Sequence, residues 1–138
     1  MIPHKFRGKS IYGGTWVYGD LVRDKKNSSI RYLVNNRKIE YVEITILPET
    51  VGIYSTLNCV EGREIFSGDI VSFNRDYNYV VKFDKGAFYL YHTKQKTFDG
   101  EPYCWGLLSR AFDADLKTLG DLKIVGNEFD NPELMKDY

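Results

Sequence analysis

The residues best suited to ligate a metal, or to pair as nucleophile and base, are His4, His92, Cys59 and Cys104. A metal centre needs three or four converging ligands, usually announced by HExxH or paired-cysteine spacing; neither spacing occurs. Cys104 and His92 lie twelve residues apart, which would allow a thiolate–imidazole pair. However, YCWG is an aromatic setting that buries a thiol more readily than it activates one. His92 closes the run GAFYLYH, at a strand rim where a solvated or hydrogen-bonded imidazole is expected. Asp113 and Asp115 are two apart, as are Asp99 and Glu101. Such pairs do acid–base or two-metal work when burial separates their pKa values, but both occur in polar loops. Ser67 and Ser109 lack a nucleophile elbow. The glycines at 13, 14 and 19 fit neither phosphate-binding frame. The reading is of a non-enzyme, with no catalytic residue, metal or cofactor assigned.

A Gly-Asp pair followed by apolar residues occurs three times, as Gly19-Asp20, Gly68-Asp69 and Gly120-Asp121. Glycine ahead of a strand permits a backbone angle closed to other residues, or lets another segment approach closely. The neighbouring Asp can accept an amide hydrogen bond and pin the turn. All three copies fit that account without a substrate.

The elements that would position any site are strands. Val42, Ile44 and Ile46 alternate with Glu43 and Thr45, a half-buried strand pattern; Ile39 and Tyr41 have the opposite phase, which predicts a bulge near Tyr41. TWVYGDLV, SIRYLV, IFSGDIVSF, YVVKFD and GAFYLYH also read as strands, the last three forming a meander over residues 65–92. Turn formers separate them, and Asp84-Lys85-Gly86 predicts a tight hairpin with Gly86 at positive φ. Helix is weakly signalled: Leu108, Phe112, Leu116 and Leu119 have helical spacing, and Asn131-Pro132-Glu133-Leu134 predicts one turn capped by Asn131. The expected fold is mainly β, a small SH3-like barrel or meander with an N-terminal β subdomain and little helix. It suits a single domain over 1–138, with a subdivision into 1–47 and 48–138.

The 138 residues include eleven Tyr, eight Phe and two Trp, which favours strands and a folded core over disorder. Two cysteines without a C-x-x-C pair are expected as reduced, partly buried thiols. No apolar run reaches the roughly 18 residues of a membrane helix, and MIPHKFRGKS has no apolar run behind its basic stretch, so no membrane partner is expected and the compartment reads as cytoplasm. The net charge is zero, yet residues 1–38 carry nine Lys/Arg against two Asp/Glu, and the remainder ten against seventeen. Such a split suits a basic surface for an acidic partner, or attraction between the two parts within a chain or between subunits.

KFRGKSIYGGTWVYGDLV, ETVGIYSTLNCVEGREIFSGDIVSF, VVKFDKGAFYL and KIVGNEFDNPELM resemble, in order, the conserved blocks of YopX-like proteins of phages and prophages. The blocks span nearly the whole chain. Their combination of TVG, Gly68-Asp69-Ile70-Val71 and VGN-x-F-x-NPEL is more specific than any block alone. Cys59 stands where the family typically has an acidic turn residue, and Ser67 where it usually has Glu, leaving Asp69 without an acidic neighbour at position 67. The resemblance implies a phage or prophage accessory protein in a bacterial cytoplasm and is consistent with a mainly β fold. It implies no chemistry.

Binding is therefore the expected role. The first expectation is a protein-interaction module that self-associates as a homo-oligomer or meets a phage or host protein. The alternative is a single-stranded nucleic-acid binder using Lys5, Arg7, Lys9, Arg31, Tyr32, Arg37 and Lys38, with Phe6, Tyr12 and Trp16 in the same stretches; rings would stack bases while cations follow phosphates.

Overall fold

The computed structural model describes residues 5–35, 40–73, 77–112 and 122–135, and they are mainly β. Two compact units divide the chain, residues 1–54 and 55–138.

In the first unit four antiparallel strands follow one another: β1 (Phe6–Lys9), β2 (Trp16–Arg23), β3 (Ser28–Asn35) and β4 (Glu40–Ile46). The start of β5 (Gly52–Asn58) flanks β1 on its other side, with Arg7 opposite Gly52 and Phe6 opposite Ile53. The pleat sends alternate side chains to opposite faces. Leu21, Ile30 and Ile44 stand side by side across three strands, and Ile30 and Ile46 are buried. Gly8 lies against Ile46 so closely that any side chain would collide with it. The sheet curls until the end of β4 meets the end of β1: Leu47 N–H donates to the Lys9 carbonyl at 2.9 Å and Ile11 N–H to that of Thr45 at 3.1 Å. Thr50, in a 3-10 turn, completes this join. Its buried hydroxyl accepts from Lys9 N–H at 2.9 Å and donates to the Leu47 carbonyl at 2.6 Å.

The predicted bulge near Tyr41 is present as a register shift between Leu33 and Asn35, opposite Tyr41 and Glu40. Between β2 and β3, the Asp24 carboxylate accepts from the N–H groups of Lys26 and Asn27, both at 2.8 Å. These bonds hold its pKa below the ordinary value.

In the second unit β5 continues to pair with β6 (Glu64–Phe66). A five-stranded antiparallel sheet runs in the order β10 (Pro102–Leu107), β9 (Ala87–Lys96), β8 (Tyr79–Asp84), β7 (Asp69–Ser72), β11 (Lys123–Asn127). The meander predicted over residues 65–92 is modified at its start. IFSGDIVSF is two strands, because Ser67-Gly68 turns the chain between β6 and β7, with Gly68 at φ +94°. Asp84-Lys85-Gly86 forms the predicted hairpin, both Lys85 and Gly86 at positive φ. The core is one cluster built on Ile65, Val71, Phe73, Tyr79, Val81, Leu90, Leu108 and Leu122, with the buried Cys59 among them. The Phe73 and Tyr79 rings stack at 4.7 Å, and Trp105 meets Phe73 edge-on at 5.1 Å.

The helical spacing from Leu108 is a 3-10 turn over Leu108–Phe112, preceded by strand β10; Leu116 and Leu119 lie outside the described residues. A 3-10 turn spans Pro132–Met135 as the NPEL motif predicts. Asn131 Oδ1, however, accepts from Asn127 N–H at 3.1 Å, so it ties the turn back to the end of β11. Neither sheet closes into a barrel among the described residues.

Candidate functional site

β1 and β2 pair so that Arg7 faces Tyr18 and Lys9 faces Trp16. Opposed residues project to the same side of a sheet, and residues two apart along a strand share it. Lys5 is two before Arg7, and its Nζ lies 5.7 Å from the centre of the Tyr54 ring. The Arg7 guanidinium sits 4.7 Å and Lys9 Nζ 5.8 Å from the centre of the Trp16 ring, so two cations approach that ring. On the same face Asp20 opposes Arg31 and Arg31 opposes Glu43, with Tyr41 two residues before Glu43 on β4. Arg31 bonds Glu43 at 3.1 Å, and its guanidinium lies 5.9 Å from the Tyr41 ring. Four cations and four aromatic rings thus share one face of the first unit, with Asp20 and Glu43 as its acidic members.

These residues differ in access. Arg7 is buried at 6% exposure, whereas Tyr18 and Tyr41 are 46% and 55% exposed, and Lys5, Lys9, Trp16 and Tyr54 are half-buried. A cation held against a ring face is attracted by its quadrupole and loses torsional freedom. Arg7 therefore orients Trp16 from below, while Lys5, Lys9 and Arg31 remain at the surface.

The structure brings together Lys5, Arg7, Lys9 and Arg31. It places Tyr32 elsewhere: opposite Val42 and against Gly19, it projects from the face opposite to Arg31. Phe6 opposes Gly19 and also lies on that other side. Arg37 and Lys38 lie outside the described residues, as do His4, Gly120, Asp121, Asp113 and Asp115. Tyr18, Tyr41 and Tyr54 belong to the face but were not singled out from the sequence. Strand alternation could have found Tyr18, two residues from Trp16, but the cross-strand partners Tyr41 and Tyr54 needed the register.

The Gly-Asp pairs occupy two different settings. Gly19-Asp20 is inside β2, where a side chain on Gly19 would collide with the Arg31 carbonyl. Gly68-Asp69 forms the β6–β7 turn, and the buried Asp69 carboxylate accepts from Phe66 N–H at 2.8 Å. Gly68 also donates to the Val81 carbonyl at 2.7 Å and accepts from Glu128 N–H at 2.9 Å. In VGN-x-F-x-NPEL, Gly126 makes room for the Asn131 side chain, and Asn127 Oδ1 accepts from the N–H groups of Phe129 and Asp130 at 3.0 and 2.9 Å. TVG begins with Thr50, which joins β1 to the turn after β4. Each motif closes a local hydrogen-bond knot.

The catalytic candidates do not converge. Cys104 opposes Tyr91, so it and His92 project from opposite faces of the sheet. Contrary to the expectation from YCWG, Cys104 is exposed, and Cys59 is the buried thiol. His92 is not at a solvated rim. β9 runs on to Lys96, and the imidazole is buried among the rings of Tyr77, Tyr79 and Tyr103 at 5.2, 4.6 and 5.3 Å. That burial lowers its pKa below 6.5. Tyr91, beside Cys104 and Asp84, has its pKa raised, first by desolvation and then by those neighbours. Among the described residues no three His, Cys, Asp or Glu side chains gather as a metal site would require, and no helix is long and apolar enough to cross a membrane.

The family model described as YopX protein matches residues 5–136. A comparison with curated proteins finds no match. The crystal structure of protein EF1440 from Enterococcus faecalis is similar in fold, with a TM-score of 0.56 at 17% identity over 99% of this chain and 100% of that one. The chain belongs to the YopX family.

Proposed function

We propose that this YopX-family chain is a non-enzymatic interaction module of phage or prophage origin, working in a bacterial cytoplasm, and that it binds a negatively charged partner through the cation–aromatic face of its first unit. The supporting observation is the interleaving of Lys5, Arg7, Lys9 and Arg31 with Trp16, Tyr18, Tyr41 and Tyr54 on one sheet face. The charge of the unit favours the same partner: residues 1–54 carry nine Lys/Arg against five Asp/Glu, a net of +4. The test is titration of labelled polyanions, poly-glutamate and an oligonucleotide, at low salt. The expected result is saturable binding that is lost in the triple variant Lys5→Glu, Lys9→Glu, Arg31→Glu while the circular dichroism spectrum is kept. A native protein that binds neither polyanion refutes the reading.

Self-association is a second reading with its own support. Residues 55–138 carry ten Lys/Arg against fourteen Asp/Glu, a net of −4, so the basic unit of one copy would attract the acidic unit of another. Light scattering should then report oligomers at low salt that dissociate as salt screens the attraction. A strict monomer at low salt removes this reading and leaves the anionic partner standing.

A further inference from the structure

We infer that the occupant of the first unit's cation–aromatic face is single-stranded nucleic acid laid along β1, an inference that rests on the anionic-partner reading and narrows it. Lys5 and Lys9 project to the same side of β1 and stand about 13 Å apart along the strand, with Arg7 midway. Arg7 is buried under Trp16 and serves as a positioning residue; Lys5, Lys9 and Arg31 are the cations at the surface. Their charge alone would serve an acidic peptide equally well. The rings decide between the two.

Tyr18 stands across from Arg7 on β2, and Tyr41 lies beside Arg31. Both are about half exposed (46% and 55%), although a sheet this rich in aromatics could have turned them to its aliphatic side. An acidic peptide offers carboxylates and no flat apolar surface for such rings. A duplex offers phosphates, but its bases are already stacked on one another. Unpaired bases supply both a phosphate for each surface cation and a π-face for each ring. Glu43 fits the same account. In the free protein it holds Arg31 at 3.1 Å, and a phosphate arriving at Arg31 must displace it and tolerate its charge.

The test uses the full chain and fluorescence anisotropy with three labelled probes: a mixed-sequence single strand of about 16 nucleotides, the corresponding duplex, and poly-glutamate of similar charge. The single strand is expected to bind tightest at equal salt. With Lys5, Lys9 and Arg31 each meeting a phosphate, log K should fall against log salt with a slope of about −2, and Lys5→Gln should reduce that slope by about 0.7. Tyr18→Ala and Tyr41→Ala, both at exposed positions, should each weaken single-strand binding roughly tenfold or more while leaving poly-glutamate unchanged. Glu43→Gln should strengthen single-strand binding, which a merely structural role for that carboxylate would not produce.

Poly-glutamate binding as tightly as the single strand, or a single-strand affinity indifferent to both tyrosine variants, overturns the inference and leaves the anionic-partner reading in place with a protein as partner. Preference for the duplex overturns the stacking account in favour of phosphate contacts alone. Absence of binding by all three probes at low salt overturns the inference and the parent reading together. Melting curves of the tyrosine variants separate loss of binding from loss of fold.

Discussion

Among the described residues of 55–138, ten buried residues form a single cluster, from Cys59 and Ile65 through Tyr79 and Leu90 to Leu122. Among the described residues of 1–54, the buried aliphatic side chains are Ile30 and Ile46, and the other buried side chains are polar: Arg7, Ser10, Ser29 and Thr50. The two units also differ in where they place particular aromatic residues. Phe73, Tyr79 and Trp105 are stacked into or against the core of the second. Trp16, Tyr18, Tyr41 and Tyr54 of the first lie on the face that its cations share. An aromatic side chain contributes most to stability when buried. A unit with few buried aliphatics that still holds these four rings on a cationic face forgoes part of that contribution, which fits the binding role proposed for the face.

The largest expected effect tests the second unit's dependence on its core. Leu90 is fully buried on β9, an interior strand of the five-stranded sheet. Leu90→Ala removes its transfer energy and leaves a cavity, so urea unfolding should show a loss of about 2–5 kcal/mol. A loss below about 1 kcal/mol would break the comparison, because the cluster would then be too loosely packed to count as a core.

The next effect tests the first unit's dependence on polar joins. Thr50→Val keeps the shape of the side chain but removes the hydroxyl that accepts from Lys9 N–H and donates to the Leu47 carbonyl. The Leu47 carbonyl keeps the Thr50 N–H at 3.0 Å, but Lys9 N–H loses the hydroxyl that accepts from it, so the expected cost is about 1–3 kcal/mol. A neutral Thr50→Val would mean that Leu47 N–H to the Lys9 carbonyl and Ile11 N–H to Thr45 suffice to hold the join.

Much of this architecture was legible: β4 announces itself by alternation, and β2, β3, β8 and β9 by β-branched and aromatic residues between turn formers. β1 carries neither signal, since FRGK places cations at alternate positions and a glycine between them. It is a strand because of its partners, β2 on one side and the distant Gly52–Ile53 on the other. The candidate face was half legible for the same reason. Grouping Arg31 with Tyr32 follows their adjacency in sequence, whereas the pleat sends neighbours to opposite faces. The true ring neighbour of Arg31 is Tyr41, brought there by β3–β4 register. Burial of His92 was illegible, because it depends on Tyr103 arriving from β10 and Tyr77 from the segment before β8.

His92 supplies the third prediction, a pH dependence specific to the second unit. The imidazole is held among Tyr77, Tyr79 and Tyr103, where burial lowers its pKa below 6.5. The folded state therefore binds the proton less readily than the unfolded state does. Stability is unaffected above the unfolded value of about 6.5 and is lost as pH falls from there through the lowered folded value. Melting temperatures should drop between about pH 7.5 and pH 5.5, and His92→Phe should flatten that drop. An unchanged slope in the variant would assign the acid sensitivity to other groups and remove His92 from the comparison.

The smallest effect separates stability from binding in the first unit. Arg31 and Glu43 are each nearly half exposed at 46% and 45%, so water screens them and the pair is worth about 0.2–1 kcal/mol. Glu43→Gln should accordingly leave the urea midpoint almost unmoved. If the carboxylate serves the strand pairing, a double-mutant cycle with Arg31→Gln gives a coupling above that range and anion binding stays the same. If instead it is the counter-charge that a partner displaces, the coupling is small and anion affinity rises, because Arg31 then meets the incoming charge without first breaking its own pair. The exposure of both side chains and the Tyr41 ring beside Arg31 favour the second outcome, in which the Arg31–Glu43 pair contributes little to strand cohesion and tunes the anion binding proposed for this face.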